Sequence, residues 1–353
     1  MILIGFLSGS SIAFNDITLA KQDSWLSFLI GWGSGFVLLW ITLKIGKLHP
    51  DKTLVGIFSD CFGNVVGKII SMIFICYFIV LAAIINKDFG FYSQTTSYPE
   101  TPILFFLIGI ILVCAFCIKI GIEVLGRISE IFICIALLNL VVSIALLAPM
   151  LHADAFKPFL ANGPAPVLRS AFKIAMVPFS EIFLCLMIFP ALNTKKSLVK
   201  SSVTAVFLGG GFLFAILLRN IMVLGPDLAS RELYPSFVVF KLTVSSFTVE
   251  SLLDANYALI VIIKIEFCIY GAAKSIAEVF GLKEYKILVS ALSALIVSLS
   301  SLLQKSSMEA DVVASQIIPA FSVPALVLFP ILVLLVSLFE QKKSIRKVQG
   351  GKT

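Results

Sequence analysis

The sequence predicts an all-α polytopic membrane protein of about ten transmembrane helices, and three observations carry that prediction. Of its 353 residues, 59% are hydrophobic and 13% charged, whereas soluble domains carry close to a quarter charged residues. Mean hydropathy is +1.07. The apolar residues come in runs near the length a helix needs to cross a bilayer, and short loops between them hold most of the Lys and Arg.

In chain order the runs are 2–19, 25–43, 66–86, 103–118, 128–151, 170–190, 203–224, 257–280, 287–303 and 318–339. The first lacks the basic leader and small-residue cleavage site of a signal peptide, so it reads as a retained helix. Asn15 and Asp16 cut it short, which implies a start further upstream or a helix short by one turn. With the N-terminus placed in the cytoplasm, the majority of the 27 Lys and Arg fall on the cytoplasmic side, Lys264 being counted inside a span. Both termini are therefore expected inside, with 340–353 as a solvated cytoplasmic tail.

Two connections on the other side are too long for simple turns. The stretch from His152 to Arg169 is rich in Pro and Gly and reads as irregular. The stretch from Gly225 to Asn256 mixes charge with apolar spacing and suggests short amphipathic helices along the surface. Nothing divides 1–353 into separate domains.

Composition also excludes several classes. A formal charge of +7 is explained by loop topology and not by nucleic acid. Seven cysteines are an odd number, and Cys76, Cys114, Cys117, Cys134, Cys185 and Cys268 lie in apolar runs as small hydrophobes. With His49 and His152 as the two imidazoles, a His-based metal site is not expected, nor is any cofactor. No phosphate loop, HExxH or nucleophile elbow is present, and Gly209, Gly210 and Gly211 lack the GK[ST] of a phosphate loop. A membrane enzyme has no motif in its favour.

Chemistry is expected where polar groups interrupt apolar helices. In the sixth run Pro178 has no N–H and crowds the carbonyl of Ile174, so the helix should open there. Val177, Pro178, Phe179, Ser180 and Glu181 then form one wall of a site. In the first run Gly9, Ser10 and Ser11 read either as a close-packing point between helices or as an unwound segment facing a ligand. Breaks at matching places in two halves mark the binding site of an inverted-repeat transporter, with halves of five spans over 1–151 and 170–339. A half-helix N-terminus suits an anion and unwound carbonyls a cation. A zwitterionic amino acid fits the pair, its carboxylate near Gly9, Ser10 and Ser11 and its ammonium near Val177 to Ser180.

Glu181 reads either as a desolvated neutral carboxyl serving as proton site or gate, or as a structural partner of a Lys or hydroxyl. Lys264 and Glu266 in the eighth run are two apart and face different ways. Lys264 thus needs a partner elsewhere, with Glu181 or backbone carbonyls as candidates. Tyr77 in the third run is an amphipathic ring, a packing residue by frequency and a remaining candidate for the pocket wall.

Several stretches together resemble a known family. KDFGFYSQTTSYPETPILFFLIGIILVCAFCIKIGIEVLGRISE, with Thr101, Pro102, Gly121 to Arg127 and Glu130, is similar to the B subunits of Ger-type spore germinant receptors. So are QDSWLS from Gln22, VPFSE from Val177, VLGPDLASRELYPSF from Val223, and the run from Asp254 through Lys264 to FGLKEY at Phe280 to Tyr285. Members are related to the amino acid–polyamine–organocation transporters. The resemblance implies a five-plus-five inverted repeat with broken helices one and six, and nutrient sensing in the inner membrane of a dormant spore beside A and C subunits. Where the family's first break reads G-x-G, this chain has Gly9, Ser10 and Ser11. The preferred expectation is a receptor subunit without enzymatic activity; the rival is a proton- or sodium-coupled amino-acid permease, with Glu181 and Lys264 as coupling or gating groups.

Overall fold

The computed structural model describes residues 1–9, 17–192, 197–243 and 247–350, the side chains of 242–253 and 342–350 excepted. Ser10 and Ser11 lie outside the described residues. Fourteen α-helices are found among them: α1 (Ile2–Ser8), α2 (Ser24–Leu48), α3 (Leu54–Phe62), α4 (Asn64–Thr96), α5 (Ile103–Ile120), α6 (Ile122–Leu147), α7 (Pro164–Met176), α8 (Leu198–Arg231), α9 (Pro235–Thr243), α10 (Phe247–Phe280), α11 (Lys286–Leu302), α12 (Ser307–Val312), α13 (Ile318–Ser322) and α14 (Phe329–Gly350). No strand occurs among the described residues.

Seven helical stretches among these residues are long and apolar enough to cross a membrane: Lys21–Leu48, Asn64–Thr96, Ile103–Ile120, Ile122–Met150, Pro164–Met187, Leu198–Arg231 and Ser307–Gln341. Large apolar side chains such as Phe105, Leu112, Phe116, Leu138, Phe207 and Phe321 stand exposed on them. In water such a surface would be unfavourable, and in hydrocarbon it is the expected outside of a bundle. The protein is an all-α polytopic membrane protein.

α10 is the central element. It packs against α1, α4, α5, α6 and α11, and Ile260, Val261, Ile263, Lys264, Ile265, Glu266 and Phe267 on it are completely buried. A helix buried on every side shows no amphipathic period, because each face meets protein.

Several boundaries differ from the sequence reading for identifiable reasons. The third span was expected to stop at Asn86, yet α4 continues to Thr96. Charges at Lys87 and Asp88 end an apolar run, but both are buried against neighbouring helices, and Ser93 and Thr96 donate back to Phe89 O at 2.9 Å and Tyr92 O at 2.7 Å. α3 was not anticipated. It is too short for a membrane-length ruler, although Thr53 caps its N-terminus by accepting from Gly56 N–H. α6 begins at Ile122, earlier than expected, and gives way to a 3-10 turn at Ala148–Met150, where Pro149 has no N–H to offer. Beyond Gly225 the helix bends and resumes: Gly225 has φ 75 and ψ 159 ahead of Pro226, a conformation that glycine adopts without penalty. In the connection that follows, Val239 and Phe240 of α9 are buried against Leu147, so this segment packs into the bundle.

Candidate functional site

The break expected at Pro178 is present. α7 stops at Met176, Val177 is extended at φ −134 and ψ 114, and the chain resumes as a 3-10 helix over Phe179–Met187. The peptide bond between Val177 and Pro178 is cis. Pro178 cannot donate to the Ile174 carbonyl; Val177 N–H instead bonds Lys173 O at 2.9 Å. Ser180 Oγ donates to Met176 O at 2.6 Å, taking up one carbonyl of the interrupted last turn.

Glu181 then projects onto α10. Its Oε2 accepts from Lys264 Nζ at 2.5 Å, and both side chains are completely shielded from solvent. The other carboxylate oxygen, Oε1, has no hydrogen-bond partner among the described residues. Withdrawing two charges from water costs several kcal/mol per ion, and only close, charge-assisted contact offsets it. Of the partners considered for Lys264, the geometry therefore selects Glu181.

The end of α1 lies against the same lysine. A Cβ on Gly9 would stand 2.5 Å from Lys264 Cβ and 2.9 Å from its Cδ, so the absence of a side chain is what lets the two segments touch. Phe6, one turn earlier, places its ring 5.0 Å from Lys264 Nζ, a cation–π contact. Three separate elements, α1, the 3-10 segment and α10, thus meet at Glu181 and Lys264.

Other expected wall residues are placed differently. Phe179 is completely buried, and its ring fills the space beside Gly35 of α2, edge-on to Phe28 at 6.1 Å; it faces α2 and not the ion pair. Tyr77 on α4 brings its hydroxyl 3.5 Å from Ser322 Oγ of α13 and lies within charge range of Glu181. Glu266, on a different face of α10 from Lys264, lies beside Cys117 and within charge range of Cys114 on α5. Neither of its oxygens has a hydrogen-bond partner among the described residues. Sequence reasoning did not reveal Phe6 as a neighbour of Lys264; its spacing of three from Gly9 was the available signal, since positions three apart share a helix face.

A family model described as spore germination protein matches residues 1–308. The chain belongs to that family. It is 28% identical over 354 residues to spore germination protein KB of Bacillus subtilis (strain 168), covering 97% of this chain and 94% of that protein. To spore germination protein YndE of the same strain it is 25% identical over 233 residues, 64% of this chain and 62% of that protein. Family membership and the apolar bundle agree: this is a multi-pass membrane protein of the spore germination class. The ion pair at the helix break is thus an internal feature of a germination protein.

Proposed function

We propose that this protein is the membrane subunit of a spore nutrient germinant receptor. It binds a small germinant, an amino acid or a related molecule, between Gly9, Ser10 and Ser11 on one side and Val177 to Glu181 on the other. The observation that supports this reading is the buried Glu181–Lys264 pair with Glu181 Oε1 left over. A zwitterion carries both charges needed to compete for it, its carboxylate toward Lys264 beside Gly9 and its ammonium toward Glu181 and the carbonyl end of α7. Exchange of one ion pair for two would separate the 3-10 segment from α10. Ligand binding shifts the protein between conformations only to the extent that its affinity for them differs. The change then passes to A and C subunits in the inner membrane of the spore, with both termini cytoplasmic, in a bundle of ten spans arranged as two inverted halves of five.

Spores carrying Glu181→Gln test the site. They are expected to lose the nutrient response or to shift its pH dependence while the protein accumulates normally; an unchanged dose response removes Glu181 from the mechanism. Labelled amino-acid uptake by the purified protein in liposomes tests the class. Concentrative uptake, together with normal germination of a strain lacking the protein, would replace the receptor reading with a coupled permease.

A further inference from the structure

A second polar cluster lies along α10 from the ion pair, toward its Phe247 end. Asp88 and Tyr92 are four residues apart on α4 and share a face; Asp254 and Tyr257 do the same three apart on α10. These faces meet. The rings of Tyr92 and Tyr257 lie edge to face at 4.7 Å, and Tyr234, just ahead of α9, stands edge-on to Tyr92 at 5.1 Å. Tyr92 lies within charge range of Asp254, and Tyr257 within charge range of Asp88 and Tyr234. Seven residues of helix separate Tyr257 from Lys264, about 10 Å.

Burial here is nearly complete while bonding is not. Tyr257 is 2% exposed and Asp88 4%, yet Tyr257 Oη and Asp88 Oδ1 have no hydrogen-bond partner among the described residues. Buried polar atoms in folded proteins are almost always paired, so two such orphans on facing helices call for a partner group. The charge balance points the same way. Asp88 on α4, Asp254 on α10 and Asp311 on α12 gather around the tyrosines, with Lys173 of α7 acting on Asp311 and Lys264 on Asp88.

We propose that Asp88 and Tyr257, walled by Tyr92 and Tyr234, form a second binding site that takes a primary ammonium group. Such a group brings three N–H donors to two waiting acceptors, and aromatic rings attract its charge. A bare metal cation would demand a larger shell of oxygens, and no group of three His, Cys, Asp or Glu suited to a metal exists among the described residues. This site is separate from the ion pair and independent of the germinant reading.

Equilibrium binding of radiolabelled methylammonium to the full-length protein in nanodiscs, at constant ionic strength, tests it. Saturable binding is expected, weakened about tenfold or more by Asp88→Asn and severalfold by Tyr257→Phe, as loss of charged and neutral hydrogen bonds does. Tetramethylammonium, which has no N–H, should compete poorly. Absence of saturable binding, or equal binding by Asp88→Asn, overturns the proposal. Displacement by potassium as effective as by unlabelled methylammonium overturns the ammonium class, and loss of binding in Glu181→Gln moves the ligand to the ion pair. If Asp88→Asn does not elute as a single species, Tyr257→Phe, which keeps the ring, decides the outcome alone.

Discussion

Two buried cations are held in opposite ways. Arg219 on α8 is 5% exposed and meets neutral acceptors: Nη1 donates to Ser143 Oγ at 3.0 Å, while Nη2 and Nε donate to Asn220 Oδ1 at 2.9 and 3.3 Å. Asn220 passes the network to Ser236 Oγ at 3.0 Å, Ser143 donates onward to Leu140 O, and the Phe240 ring lies 5.2 Å from the guanidinium. Every member is occupied, and the network ties α6, α8 and α9 together. Lys264 instead faces a full opposite charge with an oxygen to spare. Burial of a charge alone therefore does not set the two apart; the unfilled oxygen beside Lys264 does.

The largest effect is expected from Lys264→Met. It leaves the Glu181 carboxylate buried without its counter-charge, at a cost of about 3–5 kcal/mol, visible as a large fall in the melting temperature of the purified protein. Adding Glu181→Leu should recover most of that loss, because two apolar side chains have no charge to leave stranded. A single variant as stable as the parent would mean the two groups do not depend on each other.

Arg219→Met comes next. Its partners are neutral and cost about 1–3 kcal/mol when left unsatisfied, less than a stranded charge. At matched protein levels the half-maximal nutrient concentration should not move, and a shifted response would erase the contrast between the two cations. Gly9→Ala adds a methyl where Lys264 leaves no space, and overpacking of this kind costs about 1–3 kcal/mol. Unlike Arg219→Met it should also raise the nutrient requirement; equal sensitivity in the two variants would detach α1 from the site.

The sequence told more about single helices than about what they face. The break at Pro178 was legible because a missing N–H is a property of one residue, and the structure opens the helix there. The partner of Lys264 could be narrowed but not chosen, since spacing rules excluded Glu266 and left Glu181 and backbone carbonyls as candidates. The approach of Gly9 to Lys264, the continuation of α4 past Lys87 and Asp88, and the clustering of Tyr92, Tyr234 and Tyr257 all depend on contacts between distant segments. A hydropathy window reads Lys87 and Asp88 as the end of a span; packing of α5, α10 and α11 alongside α4, with Lys87 Nζ donating to Ser301 O at 3.5 Å, makes them interior.

The smallest expected effect probes the closed network at its weakest link. Ser143 Oγ both accepts from Arg219 and donates to Leu140 O at 2.7 Å, so Ser143→Ala removes one acceptor from a guanidinium that still holds Asn220. Hydrogen bonds between membrane helices average about 0.6 kcal/mol because the unfolded chain in the bilayer finds other partners. Ser143→Ala should therefore lower the melting temperature only slightly, and combining it with Asn220→Ala should cost more than the two separately, since the second change removes the last side-chain acceptor in the network from a buried cation. Simple additivity would show that Arg219 finds water or other acceptors when its partners go, and that the α8 network is as open as the ion pair on α10.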